Sequence, residues 1–263
     1  MVTRKTEAAG PAVVRSQQAM PADGAGAEVI DAGLYRPNLH YRVLQFTNPE
    51  ARYAAALRLV HDTPGAGIVH VDTMATAERL CRQLRDAGDS ACSYHGRLPP
   101  ATRRLRLRQF RQGARRVMVA TPAFGGGMDR HDIRFVIHLR LPASLQAYYR
   151  ESGRAGRDGL PAQCSLLALP HSGRGATAPL AAYLQGGACR WQLLLDGLGA
   201  AAEGWDACGQ CDHCCGPDAD LLLPLPARAL DLAALLTVAG ERIAIAFPED
   251  SSKTFMAEFV QAR

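Results

Sequence analysis

The sequence predicts an α/β fold: a parallel sheet with helices on both faces, followed by a small helical module built on four cysteines. Two observations carry the prediction. From Gly67 onward short apolar runs alternate with helical stretches, and four of the eight cysteines gather between Cys189 and Cys214. A βαβα rhythm implies parallel strands joined by crossover helices that cover the sheet.

The elements follow in order. Ile68 to Val71 reads as a strand, Ala75 to Ala87 as a helix, Ala91 to Tyr94 as a strand and Pro100 to Gln112 as a helix. Val117 to Ala120 and Phe135 to His138 are strands, Ala143 to Ser152 a helix and Gln163 to Leu169 a strand. After Pro170 a Gly-rich gap leads to a short helix in the Cys189 to Leu198 region, then to the cysteines, then to an apolar helix over Ala227 to Val238. Residues 1–33, rich in Ala, Gly and small polar residues without periodicity, read as a disordered tail. The expected organisation is therefore a tail over 1–33, an α/β lobe over 34–170, a cysteine module over 171–216 and a C-terminal segment, 217–263, without an assigned role.

With 263 residues, nearly half of them apolar, the chain can bury one ordinary core and a smaller satellite. A net charge of +5 with Arg in excess over Lys favours a polyanionic partner, since guanidinium grips phosphate bidentately. No apolar run approaches the length of a membrane span, and Met1 to Ile30 lacks the order of a secretory signal. The expectation is a cytoplasmic, nucleoid-associated protein without a membrane partner. There, cysteines are thiols or metal ligands rather than disulfides.

Tyr148-Tyr149-Arg150-Glu151-Ser152-Gly153-Arg154-Ala155-Gly156-Arg157-Asp158-Gly159 places two arginines three apart at a helix end, beside glycines that let the backbone approach a ligand. Such a pair can hold a phosphate; alone, it would as readily be a solvated turn. Its neighbours decide. Tyr35-Arg36-Pro37-Asn38-Leu39, Gly67 to Thr73, Tyr94-His95-Gly96-Arg97-Leu98 and Val119-Ala120-Thr121-Pro122-Ala123-Phe124-Gly125-Gly126-Gly127-Met128-Asp129 stand before it in order. Together these segments resemble the C-terminal part of RecQ-family ATP-dependent DNA helicases over about residues 34–215: the second RecA-like lobe and the zinc-binding subdomain. The 148–159 segment is similar to helicase motif VI and the 119–129 segment to motif V.

The resemblance implies a motor lobe that moves along single-stranded DNA from 3′ to 5′ in recombination and repair. It implies that Arg154 and Arg157 reach the γ-phosphate of an ATP bound mainly by another lobe, one of them as the arginine finger. Thr121, Gly125, Gly127 and Asp129 would line the cleft where nucleotide state couples to DNA. The sequence departs from the family at Arg150, usually Gln, at Gly126, usually Met, and over His70 to Met74, usually a Tyr-Cys-x-Ser-Arg run.

Cys189, Cys208, Cys211 and Cys214 form one helix cysteine followed by C-x-x-C-x-x-C. Four thiolates surround an ion tetrahedrally and select zinc or an iron–sulfur cluster over hard cations; a structural Zn2+ is the expectation, since a closed set leaves no position for a reacting water. Gly209 permits the tight turn, and the helix from Cys189 is similar to the one that supplies the first ligand in RecQ proteins. His213 and Cys215 stand beside the set as neighbours. The stretch from His171 to Ala188 is short against the family, so the helical hairpin before the cluster is expected to be partly missing.

Arg103, Arg104, Arg106, Arg108, Arg111, Arg115 and Arg116 crowd one helix and its exit, with Leu105, Leu107 and Phe110 expected to anchor it. The helix is either a solvated face or a phosphate-contacting one, with His95, Arg103 and Arg104 as DNA-binding candidates. The partner would be single-stranded DNA or a single/double-strand junction. No G-x-x-x-x-G-K-S/T motif and no Asp-Glu pair for magnesium occurs as a motif in the sequence. The chain is therefore expected to be inactive alone and to use ATP and Mg2+ only with a complementary first lobe on a separate polypeptide. The alternatives are a non-catalytic DNA-binding zinc module and a degenerate gene remnant.

Overall fold

A computed structural model of the protein describes residues 34–124, 129–170, 172, 174–200 and 207–216. The chain divides into two compact units, Met1–Pro226 and Ala227–Arg263, and every described residue belongs to the first. The expected tail over 1–33, the expected helix over Ala227 to Val238 and the rest of 217–263 lie outside the described residues.

Six parallel strands form one sheet in the order β1-β6-β5-β2-β4-β3, where β1 is Leu39–Gln45, β2 Ala66–His70, β3 Ala91–Tyr94, β4 Val117–Ala120, β5 Ile133–His138 and β6 Ala162–Ala168. The helices are α1 (Pro49–Asp62), α2 (Met74–Asp86), α3 (Pro100–Arg111), α4 (Leu145–Ser152), α5 (Ala178–Gln185), α6 (Arg190–Gly197) and the single turn α7 (Asp212–Cys215). This is the α/β sheet with helices on both faces that the sequence predicts, and it begins earlier. β1 and α1 precede Gly67, and α5 occupies the stretch read as a Gly-rich gap.

Local chemistry starts each helix where it starts. The Asn48 side chain accepts from the Ala51 N–H at 2.8 Å with Pro49 in the first turn. Thr73 accepts from Thr76 N at 3.0 Å, and Ser144 from Ala147 N at 3.1 Å. α1 stops at Thr63, held extended by the proline that follows.

Strand side chains alternate between two cores. On one face Val69 and Val71 of the β2 strand and its exit, Val117 and Val119 of β4, and Phe135 and Ile137 of β5 pack under Ala56 and Val60 of α1 and Leu80 and Leu84 of α2. On the other, Leu39, Tyr41, Val43, Cys164 and Leu166 pack under Tyr148, Tyr183 and Trp191 of α4, α5 and α6. The cysteine turn and the last two long helices thus lie against the β1 side of the sheet. Trp191 donates its indole N–H to Leu39 O at 3.1 Å.

One register irregularity matters. Between Ala66 and Gly67 the pairing with β5 slips by one residue, which lays the Phe135 ring on Gly67. A Cβ at Gly67 would stand far inside contact with that ring, so any side chain there must displace the ring.

Candidate functional site

The arginine turn follows α4 directly. Gly156 has φ +56°, and a Cβ on it would meet Asn38 Nδ2 at 2.5 Å and Leu160 O at 2.9 Å. The turn is therefore tight, and its carbonyls need donors. Arg36 supplies them, donating to Gly153 O and Ala155 O at 2.9 Å each and to Gly156 O at 2.5 Å. Asn38 Nδ2 donates to Gly156 O at 2.7 Å and Leu160 O at 2.9 Å. Five bonds from the strand entry to β1 thus set the backbone that carries Arg154 and Arg157. The Tyr35 to Leu39 segment contributes to the fold here through Arg36 and Asn38, a role that only the folded chain reveals.

Arg154 is half-buried, its guanidinium 5.3 Å from the Phe124 ring centroid. Burial and the like charge of Arg157 lower its pKa from the ordinary value. Arg157 is exposed and lies 3.9 Å from Asp129 Oδ1, so the structure brings together three of the predicted residues, Arg154, Arg157 and Asp129. Asp129 also meets His131 Nε2 at 2.9 Å. Thr121 is buried just past β4, its N–H bonded to Tyr94 O at 3.0 Å. Gly125 and Gly127 lie outside the described residues.

Behind the turn is a buried polar cluster that the sequence reading did not single out. His70 and His138, register partners at the ends of β2 and β5, stack with ring centroids 4.6 Å apart. Glu151 accepts from His138 Nε2 at 2.9 Å and from Arg140 Nη2 at 2.5 Å. Burial pushes both histidines below their ordinary value, toward the neutral imidazole. Burial alone would raise the Glu151 carboxyl, but its bond to His138, the nearby histidines and the Arg140 guanidinium hold it at about 2. With the imidazoles neutral, Arg140 is the charge that faces it at neutral pH.

The four cysteines converge. Cys211 Sγ lies 3.5 Å from Cys214 Sγ and 4.0 Å from Cys189 Sγ, and Cys208 Sγ is 3.9 Å from Cys214 Sγ. A tetrahedral ion with bonds of about 2.3 Å holds its sulfurs about 3.8 Å apart, close to these three separations, and all four sulfurs lie within 4.8 Å of one another, so the set fits a metal ion. Backbone N–H groups already point at two of the sulfurs, Arg190 N to Cys211 Sγ at 3.4 Å and Cys208 N to Cys189 Sγ at 3.3 Å. Gly209, at φ +69°, makes the turn. Cys215 is exposed and donates to Gly209 O at 3.2 Å, and His213 is exposed; neither belongs to the convergent group of four. Burial pushes the Cys92 and Cys164 thiols up to about 12, the state of inert core thiols.

The basic helix divides by face. Phe110 is buried and Leu107 packs against the core, but Leu105 is 43 % exposed and anchors nothing, because its position on α3 points it at solvent. Arg106 faces inward, bonded to Ser93 and, at 3.5 Å, to Glu78. Arg116 is structural too: it pairs with Asp89 at 2.5 Å and donates to the Val60, Thr63 and Gly65 carbonyls. His95 is 7 % exposed, with Nε2 on Glu78 at 2.9 Å and Nδ1 buried without a partner among the described residues, so as placed neither nitrogen is presented to a nucleic acid. Arg104 is exposed and Arg103 partly so, and neither side chain makes a hydrogen bond or ion pair among the described residues.

This geometry has known counterparts. The helicase conserved C-terminal domain matches residues 51–159, from α1 through the arginine turn, and the described lobe is a C-terminal helicase lobe. Its homologues are of RecQ and Q1 type. The chain is similar to the ATP-dependent DNA helicase RecQ of Pasteurella multocida, 38% identical over 136 residues, which covers 51% of this chain and 21% of that protein. It is also similar to the ATP-dependent DNA helicase Q1 of Pongo abelii, 31% identical over 230 residues, 80% of this chain and 35% of that one. The chain spans about a quarter of the length of the curated relatives it matches first. Among solved structures, Saccharomyces cerevisiae Dbp5 bound to Gle1 and IP6 shares the fold, with a TM-score of 0.51 at 20% identity over 62% of this chain and 40% of that one.

Proposed function

We propose that this chain supplies the arginine-bearing lobe of an ATP-driven 3′–5′ DNA helicase, with a zinc-tied module braced against its sheet. The observation that carries the reading is the rigid turn that presents Arg154 and Arg157. A guanidinium held in place costs little reorganisation when charge develops on a transferred phosphoryl group. Bound ATP with Mg2+ supplies that phosphoryl group, and a first lobe holds it. This chain's part is to present Arg154, backed by Phe124, and the more exposed Arg157 to it. Zn2+ on Cys189, Cys208, Cys211 and Cys214 ties the turn after α6 to the start of that helix. Exposed Arg104 and partly exposed Arg103, with Arg108 and Arg111 also exposed on α3, are left to meet a DNA backbone.

The test is DNA-stimulated ATP hydrolysis by the metal-loaded chain, alone and mixed with a separately expressed RecQ first lobe. Turnover is expected only in the mixture, and Arg154→Ala and Arg157→Ala are each expected to lower it, the finger on the order of a thousandfold. Metal content should be unchanged in both. Full turnover in both single variants would refute the assignment, and DNA binding without turnover in any mixture would favour a non-catalytic DNA-binding module.

A further inference from the structure

We propose that His70, His138 and Glu151 form a second metal site, distinct from the four cysteines, for a divalent transition ion of the zinc, cobalt and nickel class. One ligand atom from each of the three lies within 4.8 Å of the others. Two of them, His138 Nε2 and Glu151 Oε2, are 2.9 Å apart, while an ion with bonds of about 2.0–2.2 Å sets its ligands somewhat wider. A modest opening of that pair and a turn of the imidazoles would admit one.

The independent observation is unmade hydrogen bonds. His70 is fully buried, yet neither ring nitrogen has a hydrogen-bond partner among the described residues, and His138 Nδ1 has none either. Buried imidazole nitrogens are ordinarily bonded, and two orphans on one ring call for an explanation. A metal ion accounts for one of the two, since each imidazole offers one ligand atom: burial keeps both rings neutral, which is the form that ligates, and Glu151 is held as a carboxylate. Arg140 on the other Glu151 oxygen would serve as the outer partner that orients a ligating carboxylate.

The donor set chooses the ion. Two imidazoles and one carboxylate suit borderline divalent ions, and they are too few oxygens for calcium or magnesium. The guanidiniums of Arg140 and Arg154 lie close enough to disfavour a cation, so binding should be weaker than at the four thiolates. Position gives the site a consequence. Glu151 is three residues before Arg154, and the Phe124 ring lies 5.3 Å from the Arg154 guanidinium and 6.5 Å from the His70 ring centroid. An ion here would tie the ends of β2, β5 and α4 together behind the arginine turn.

The experiment is a Co2+ titration of the full chain with its cysteine site already filled by zinc. Thiolate-to-cobalt charge transfer in the near ultraviolet marks cobalt on sulfur, whereas nitrogen and oxygen ligands give only visible d–d bands. The expected result is a further equivalent with d–d bands alone, abolished in His70→Asn and in Glu151→Gln while the zinc equivalent stays. No further equivalent, one that carries thiolate charge transfer, or one that persists in both variants would overturn the proposal. If the variants lose their zinc through misfolding, X-ray absorption at the cobalt edge on the wild-type protein decides. Outer-shell scattering from two imidazole rings supports the site, and its absence overturns it.

Discussion

Asp212 is the residue whose change should cost the most for the fewest atoms altered. Its Oδ1 accepts from Arg190 Nε at 2.8 Å, and its Oδ2 from Arg190 Nη2 and from the Val43 N–H, both at 2.9 Å. One carboxylate therefore joins the cysteine turn, helix α6 and the edge strand β1. The two side chains are 10% and 16% exposed, too little for water to screen the pair strongly. Asp212→Asn keeps the shape, removes the charge and turns one acceptor into a donor that faces donors. Breaking a buried pair costs about 3–5 kcal/mol and a charge-assisted hydrogen bond about 1.5–3 kcal/mol. Partial exposure favours the lower end, about 3 kcal/mol, which for a unit of this size lowers Tm by about 6–12 °C. The assay is thermal unfolding of the metal-loaded chain at neutral pH, with Asp196→Asn, exposed on α6, as the control expected to change little. Arg190→Met should remove most of the same energy, and adding Asp212→Asn to it should cost little more. A melting point within about 2 °C of wild type, with metal retained, would refute the bracing role.

Gly67→Ala should destabilise the lobe by about 1–3 kcal/mol by driving the buried Phe135 ring from its place, and an unchanged urea midpoint would show the ring can move freely. Acid should weaken the fold through the cluster behind the arginine turn. Glu151, depressed from 4.5 to about 2, contributes stability that is complete above pH 4.5 and lost as pH falls toward 2. At about 1.4 kcal/mol per pH unit this is at most about 3.5 kcal/mol, less the share that only charged imidazoles would supply; it is absent in Glu151→Gln, and urea melts across pH 2 to 7 would read it. His70 and His138, neutral in the fold, add a loss in the same direction that begins as pH drops through 6.5, where the unfolded chain binds their protons. Removing the ion from the cysteine cluster should loosen α6 and expose Trp191, which is buried between Tyr35 and Tyr41 at 5.0 Å from each. In a Trp205→Phe background chelation should therefore shift the emission to the red, and an unmoved spectrum after proven metal loss would contradict this.

What was legible in the sequence was what local spacing encodes. Strands β2 to β6 are buried on both faces and read as apolar runs, and the C-x-x-C-x-x-C turn contains three of its four sulfurs within seven residues. β1 escaped because it alternates apolar with polar residues and forms no apolar run. Leu39, Tyr41 and Val43 face the core while His40 and Arg42 alternate with them, a period-two signal that was present and unread. α5 lay hidden in a stretch read for its glycines, although Leu180, Tyr183 and Leu184 have helical spacing.

The arginines show most clearly where a chain read residue by residue stops being informative. In sequence Arg154 is marked by its glycine-flanked motif, but Arg36, Arg104, Arg106 and Arg116 are one residue type, and spacing alone offers no means to rank them. In the fold, Arg106 and Arg116 are consumed by Glu78 and Asp89, partners 28 and 27 residues away, and by main-chain carbonyls. Arg36 is consumed by a turn 117 to 120 residues away. Arg104 is left exposed on α3, and Arg36 decides where the backbone that carries Arg154 points. Arg36→Lys keeps the charge but cannot span three carbonyls with one ammonium. It should therefore depress reconstituted ATPase more than it lowers Tm, and a fall in Tm with full activity would show that the clamp serves folding alone.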